Sequence, residues 1–151
     1  MPDGAYIGHL MVLVDGTAPS LRAADLALDL ARLIDADVVA LAVVETETLE
    51  QLLQVRILAP GEMKDFEAEL AHHLRRTLDE VAGRARGKSV PVECVLAAGN
   101  SETVVPREIA ARDIGMLVIG AFEGSRALRD VVARQRQQIV DRAPCHVLVA
   151  K

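Results

Sequence analysis

Short, nearly unbroken apolar runs alternate along this chain with longer stretches in which apolar residues recur every three or four positions. That alternation leaves few folds open. His9–Val14, Val38–Val44, Val90–Ala97, Met116–Gly120 and Cys145–Ala150 have the length and branched apolar content of strands. Val38–Val44 and Met116–Gly120 are continuous rather than alternating, as expected of strands buried on both faces of a parallel sheet. Between them, Leu21–Ile34 places Ala23, Ala27, Leu30 and Ile34 on one helical face. Glu62–Arg86 carries a stripe of Phe66, Leu70, Leu74, Leu78, Val81 and Ala85. Ser125–Arg142 is a further amphipathic helix, stopped by Ala143-Pro144. Gly99-Asn100-Ser101 signals a turn and cap for a helix ending at Arg112, with Pro106 moving the expected start toward Thr103. Pro91 marks its strand as an edge or a strand start, because proline cannot donate to a ladder. The order βαβαβαβαβ predicts a single α/β domain over residues 1–151, an open parallel sheet with helices on both faces.

The segment Thr46–Gly61 does not fit a simple connection. It is long for one and carries Leu49, Leu52, Leu53, Val55, Ile57 and Leu58. It reads as a short helix or a covering flap, and as a surface for a protein partner. In open α/β sheets, ligands bind at the carboxyl ends of the strands, where strand order reverses. The loops at those ends are Asp15–Ser20, Gly99–Ser101 and Gly120–Ser125. Their Gly, Ser, Thr and Asp content suits both an anion site and ordinary turns.

Composition removes several function classes. The net charge is −5, which argues against nonspecific nucleic-acid binding, since that runs on Lys and Arg neutralising phosphates. Tyr6, Phe66 and Phe122 are the only aromatics, too few for a base-stacking platform. No apolar run approaches the ~20 residues of a membrane span. The opening Met-Pro-Asp-Gly-Ala-Tyr lacks the basic start of a signal peptide, so a cytoplasmic protein is expected.

Several segments resemble a known family. Val12-Leu13-Val14-Asp15-Gly16-Thr17 before an Ala-rich helix resembles the opening of universal stress proteins. Ala98-Gly99-Asn100 resembles their Gly-Asp-Pro turn. Met116–Gly120 resembles the strand leading to their phosphate loop. Arg142-Ala143-Pro144-Cys145-His146-Val147-Leu148-Val149 resembles their closing signature, the most specific of the four. The resemblance implies a five-stranded sheet in order 3-2-1-4-5, of the adenine nucleotide alpha hydrolase-like kind. It also implies a homodimer through the last strand, here Cys145, His146, Val147, Leu148 and Val149.

Some members of that family bind ATP, with Mg²⁺, and match Gly-x2-Gly-x9-Gly-Ser/Thr after the fourth strand. Here Gly120 matches the first glycine, but Glu123, Ala133 and Arg134 stand at the other three positions. A one-residue loop shift puts Gly124 at the second position without repairing Ala133-Arg134. A carboxylate at Glu123 about 5 Å from a phosphate is repulsive by roughly 3 kcal/mol at an effective dielectric of 20. That is about a hundredfold in affinity. The adenine end is better kept. Asp15 matches the acid that contacts adenine and ribose, Thr17 a loop hydroxyl, and Val43 an apolar wall. Asp15 also suits an Asx turn that caps the following helix, and the two roles are compatible.

The expected function is therefore a non-catalytic homodimeric stress-response module with a degenerate adenine-nucleotide site, no cofactor being the favoured reading. The alternative is an ATP-binding switch, with slow hydrolysis at most, in which Arg134 replaces the Ser/Thr phosphate contact. Arg126, Arg129, Arg134 and Arg136 otherwise read as a solvated helix face. No GxSxG elbow or Walker pattern is present, so no catalytic residue is assigned. Cys94 and Cys145 fall on opposite edges of the implied sheet, roughly 19 Å apart, and read as buried thiols that form no disulfide. His72 and His73 are adjacent on a helix, and no metal site is expected.

Overall fold

The computed structural model describes residues 7–56, 59–121 and 126–151. Five parallel strands form one sheet: β1 (His9–Leu13), β2 (Asp37–Glu45), β3 (Val92–Gly99), β4 (Met116–Gly120) and β5 (His146–Ala150). Their spatial order is β3-β2-β1-β4-β5, as the resemblance implied. Leu10 of β1 is in register with Val38 of β2 on one side and Met116 of β4 on the other. The chain turns from one half of the sheet to the other between β1 and β4, which places the switch point there.

Alternation along β1 divides the interior in two, because successive strand residues point to opposite faces. Leu10, Val12 and Val14 join one apolar cluster with α1 (Ala18–Ile34) and α3 (Pro60–Gly87). Met11 joins the other, with Val105 and Ile109 of α4 (Ser101–Ala111) and Ile139 of α5 (Arg126–Arg142). Helices therefore cover both faces. The α1 contact face is Ala23, Ala24, Ala27 and Ala31, all fully buried. Side chains this small let the helix lie close to the sheet. A Cβ on Gly120 would stand 2.5 Å from the carbonyl oxygen of Pro19, so glycine there is a requirement of backbone approach.

Of the two readings of Thr46–Gly61, the short helix is the one seen: Thr46–Gln54 forms α2, which runs on directly from β2 and buries Leu49 against the α1–α3 side. Two sequence expectations change. The helix α4 begins at Ser101, leaving Pro106 inside it rather than in its first turn. Asn100 explains the early start: its side chain accepts from the Glu102 N–H at 2.9 Å, while its carbonyl accepts from Val104. Proline then forgoes one intrahelical bond. Finally, Cys94 is exposed rather than buried, because β3 is an edge strand with only one long side paired. Cys145 is half-buried just before β5, at the opposite edge. No helix among the described residues is long and apolar enough to cross a membrane.

Candidate functional site

The carboxyl ends of β1, β2 and β4 meet the first turn of α4 and the middle of α5 around a small crevice. Its walls are Leu13, Val14, Asp15, Val43, Glu45, Ser101, Gln135, Arg136 and Ile139, and its volume is about 180 Å³. A larger cavity, about 380 Å³, lies at the amino ends of β1–β3 beside His9, Asp37, Glu93 and Arg112. Two exposed polar pairs line it, a His9–Asp37 hydrogen bond at 2.5 Å and an Arg112–Glu93 ion pair at 2.7 Å. Such pairs organise little, and α/β sheets recognise ligands at the opposite end.

Asp15 divides its carboxylate between two tasks. One oxygen, Oδ1, accepts from the Thr17 N–H at 2.9 Å and the Thr17 hydroxyl at 2.6 Å, which is the Asx-turn geometry. The other, Oδ2, faces Arg136 across the crevice at 4.0 Å. Thr17 caps α1: its hydroxyl donates to Asp15 and accepts from the Ser20 N–H at 3.4 Å. Its single proton is thereby committed. Gly16 holds φ at +87°, and the His73 ring of α3 packs over it. Left-handed backbone of this kind favours glycine.

Val43 forms the apolar floor near the end of β2. Beyond it, Glu45 takes a place that sequence reasoning missed. Its carboxylate accepts from the Ser101 hydroxyl in a very close contact, from the Ser101 N–H at 3.4 Å, and from Gln135 Nε2 at 3.1 Å. A carboxylate at a helix N-terminus is favoured by the free N–H groups and the dipole. The anion at the start of α4 is therefore the chain's own. Asn100 Nδ2 donates similarly to Glu47 at 2.7 Å.

Arg136 is the crevice's only cation among the described residues. Its side chain is 17% exposed, Nη1 donates to the Gly120 carbonyl, and Nη2 faces Asp15. Its Nε has no hydrogen-bond partner among the described residues. Burial pushes the guanidinium pKa down, and the Asp15 carboxylate partly opposes the shift. On the far side of Arg136 lies a second cavity of about 300 Å³, lined by Gly120, Ala121, Ala133, Gln137, Val140 and Val149 among others. Arg136 borders both cavities.

Of the sequence-predicted site residues, Asp15 and Val43 line the crevice, and Thr17 stands beside it through Asp15. Gly120 and Ala133 line the second cavity. Arg134 is exposed and lines neither. Glu123 and Gly124 lie outside the described residues. No group of three or more His, Cys, Asp or Glu among the described residues is placed to hold a metal ion. Glu45, Ser101, Gln135 and Arg136 are the additions the structure makes.

Comparison with known proteins places this geometry. No curated protein sequence matches the chain. Among solved structures, it is similar to a universal stress family protein from Burkholderia pseudomallei at 20% identity, covering 96% of each chain with a TM-score of 0.72. The universal stress protein UspA from Lactobacillus plantarum is 22% identical, covering 97% of this chain and 99% of its own, with a TM-score of 0.69. The universal stress protein from Archaeoglobus fulgidus, solved in complex with dAMP, is 16% identical over 97% of this chain and 98% of its own, with a TM-score of 0.68. At these identities the likeness is one of fold. The sequence model of the universal stress protein family matches residues 7–151, and on that match the chain belongs to the universal stress protein family.

Proposed function

We propose that this chain is a non-catalytic, homodimeric regulatory module whose adenine-nucleotide crevice is degenerate. The observation that carries the reading is the occupation of the crevice by the protein's own side chains. Gln135 and Arg136 reach in from α5 and leave about 180 Å³. Ligand pockets commonly offer ~300–1,000 Å³. Glu45 already supplies the anion at the start of α4. The complex of the Archaeoglobus fulgidus relative with dAMP supports an adenine compound as the ligand class. Arg134, exposed on α5, gives no support to the reading in which it grips phosphates.

The dimer is proposed to form through β5. It is an edge strand, and its Val149 is 48% exposed. An unprotected apolar edge invites pairing, and a second copy satisfies it. The α2–α3 corner, where Val55 is 65% exposed, is the proposed surface for a protein partner.

Calorimetry with Mg-ATP on the purified protein, after release and assay of any co-purified nucleotide, tests the crevice. Sedimentation velocity tests the dimer. Weak or absent ATP binding by a dimer supports the proposal. Micromolar ATP affinity overturns the degenerate site, and a monomer at all concentrations overturns the β5 pairing.

A further inference from the structure

We infer that Arg136 is the specificity-determining residue of this crevice, a partition that admits an unphosphorylated purine base or nucleoside and excludes the nucleotide. The inference rests on the adenine-compound reading proposed above and assigns the ligand class that this particular chain takes.

Three observations converge on it. The first is space. The part of the crevice open beside Val43 is about 180 Å³, below the ~300–1,000 Å³ of a drug-sized ligand's pocket, so only a compact ligand suits it. Leu13, Val43 and Ile139 offer apolar walls to a flat bicyclic base, and half-exposed Asp15 stands at the side where its sugar would lie. Among the described residues, the cavity that Arg136 shares with the crevice, about 300 Å³, has room for a phosphate chain, and the other adjoining one, about 280 Å³, is lined by Glu45, Glu47 and Glu102, which repel it.

The second is charge. Asp15 and Glu45 bring two carboxylates to the wall, against the one guanidinium of Arg136. A neutral ring with N–H and O–H donors meets acceptors on that wall. Glu45 accepts from amide and hydroxyl groups already, so an exocyclic amine presents the same chemistry to it.

The third is commitment. Of the groups an arginine would offer a phosphate, Nη1 already donates to the Gly120 carbonyl, and Nη2 is drawn toward Asp15 at 4.0 Å by charge without a hydrogen bond. Nε, which has no partner among the described residues, is itself buried, so it does not reach a ligand without movement of the whole side chain.

The test uses full-length protein and titrates adenosine, AMP and ATP by calorimetry into the wild type, Arg136→Ala and Arg136→Met. The wild type is expected to bind adenosine at least tenfold more tightly than AMP. Arg136→Ala joins the two cavities and is expected to raise AMP affinity at least tenfold while leaving adenosine within threefold. Arg136→Met keeps most of the volume without the charge and is expected to retain the exclusion of AMP. Equal or tighter binding of AMP by the wild type overturns the partition. So does a folded Arg136→Ala protein that gains nothing for AMP, or a wild type that binds neither compound. Loss of AMP affinity in Arg136→Ala would make Arg136 a phosphate contact instead. If Arg136→Ala does not fold, the wild-type ratio of adenosine to AMP decides alone. The ATP titration and the dimer test the function proposed above, whereas the adenosine-to-AMP ratio in wild type and variant tests the partition, so a dimer with weak ATP binding that also ignores adenosine overturns the partition alone.

Discussion

Nη2 of Arg136 lies 4.0 Å from Oδ2 of Asp15, and this pair ties the end of β1 to the middle of α5. Asp15→Ala removes that counter-charge together with the two bonds to Thr17 that shape the first turn of α1. The expected loss is about 1–3 kcal/mol of stability, mostly from the turn. Asp15 is 48% exposed, so the ionic share is discounted for solvent screening to below about 1 kcal/mol. Urea unfolding of Asp15→Ala, Arg136→Met and the double variant gives the coupling directly. A coupling of about 3 kcal/mol or more would show a desolvated bridge instead.

Gly120 and Gly83 separate two kinds of glycine. A Cβ on Gly120 meets the Pro19 carbonyl at 2.5 Å, backbone against backbone, and α1 has to shift to admit it. Gly120→Ala is expected to cost about 1–3 kcal/mol, or roughly 2–4 °C of melting temperature for each kcal/mol lost in a chain of this size. At Gly83, inside α3, a Cβ meets only the end of Arg86 at 3.7 Å. Gly83→Ala is expected to stabilise by about 0.5–1 kcal/mol. Melting curves of the two variants should move in opposite directions, and a stable Gly120→Ala protein would refute the close approach of α1.

The sheet was legible in the sequence because β2 and β4 are buried on both faces, which makes them continuous apolar runs that no surface element shares. The start of α4 was not, because Pro106 outweighs Asn100 in a local reading until the cap geometry is seen. Asp15, Val43 and Gly120 were legible through the family's motifs. Glu45 and Gln135 were not, since their bond spans 90 residues and leaves no trace in local periodicity. Arg136 had a usable signal. It stands three residues before buried Ile139 and so shares its helix face, whereas Arg134, two residues earlier, is turned by roughly 200°. Helical phase favours Arg136 as the inward arginine, and motif matching pointed to Arg134.

Both cysteines titrate above the ordinary thiol range. At Cys94, an exposed residue whose thiol is turned in against the Leu78 carbonyl, the causes are partial desolvation of the sulfur, then the nearby Asp79 and Glu93 carboxylates; at Cys145 the cause is burial, partly offset by a hydrogen bond from the Leu117 backbone. The folded protein thus binds these protons more tightly than the unfolded chain. The associated stability is fully present below the unfolded thiol pKa, about 8.5, and is lost as pH rises through the raised folded values. Iodoacetamide labelling read by mass spectrometry from pH 7 to 10 should show native rates still climbing after the urea-unfolded rates have levelled. A native plateau reached first would contradict the shift.

Val149 offers the sharpest test of the β5 pairing, because its side chain is 48% exposed and its loss costs the isolated subunit little. Val149→Lys places a charge on the open edge of the sheet, a device that natural edge strands use to block pairing. The variant is expected to sediment as a monomer at concentrations where the wild type is a dimer. Its melting temperature should also stop depending on protein concentration, since dissociation no longer accompanies unfolding. The wild type should keep that dependence. If Val149→Lys stays dimeric with an unchanged concentration dependence, the contact lies on another face, and β5 is an edge protected by something other than its twin.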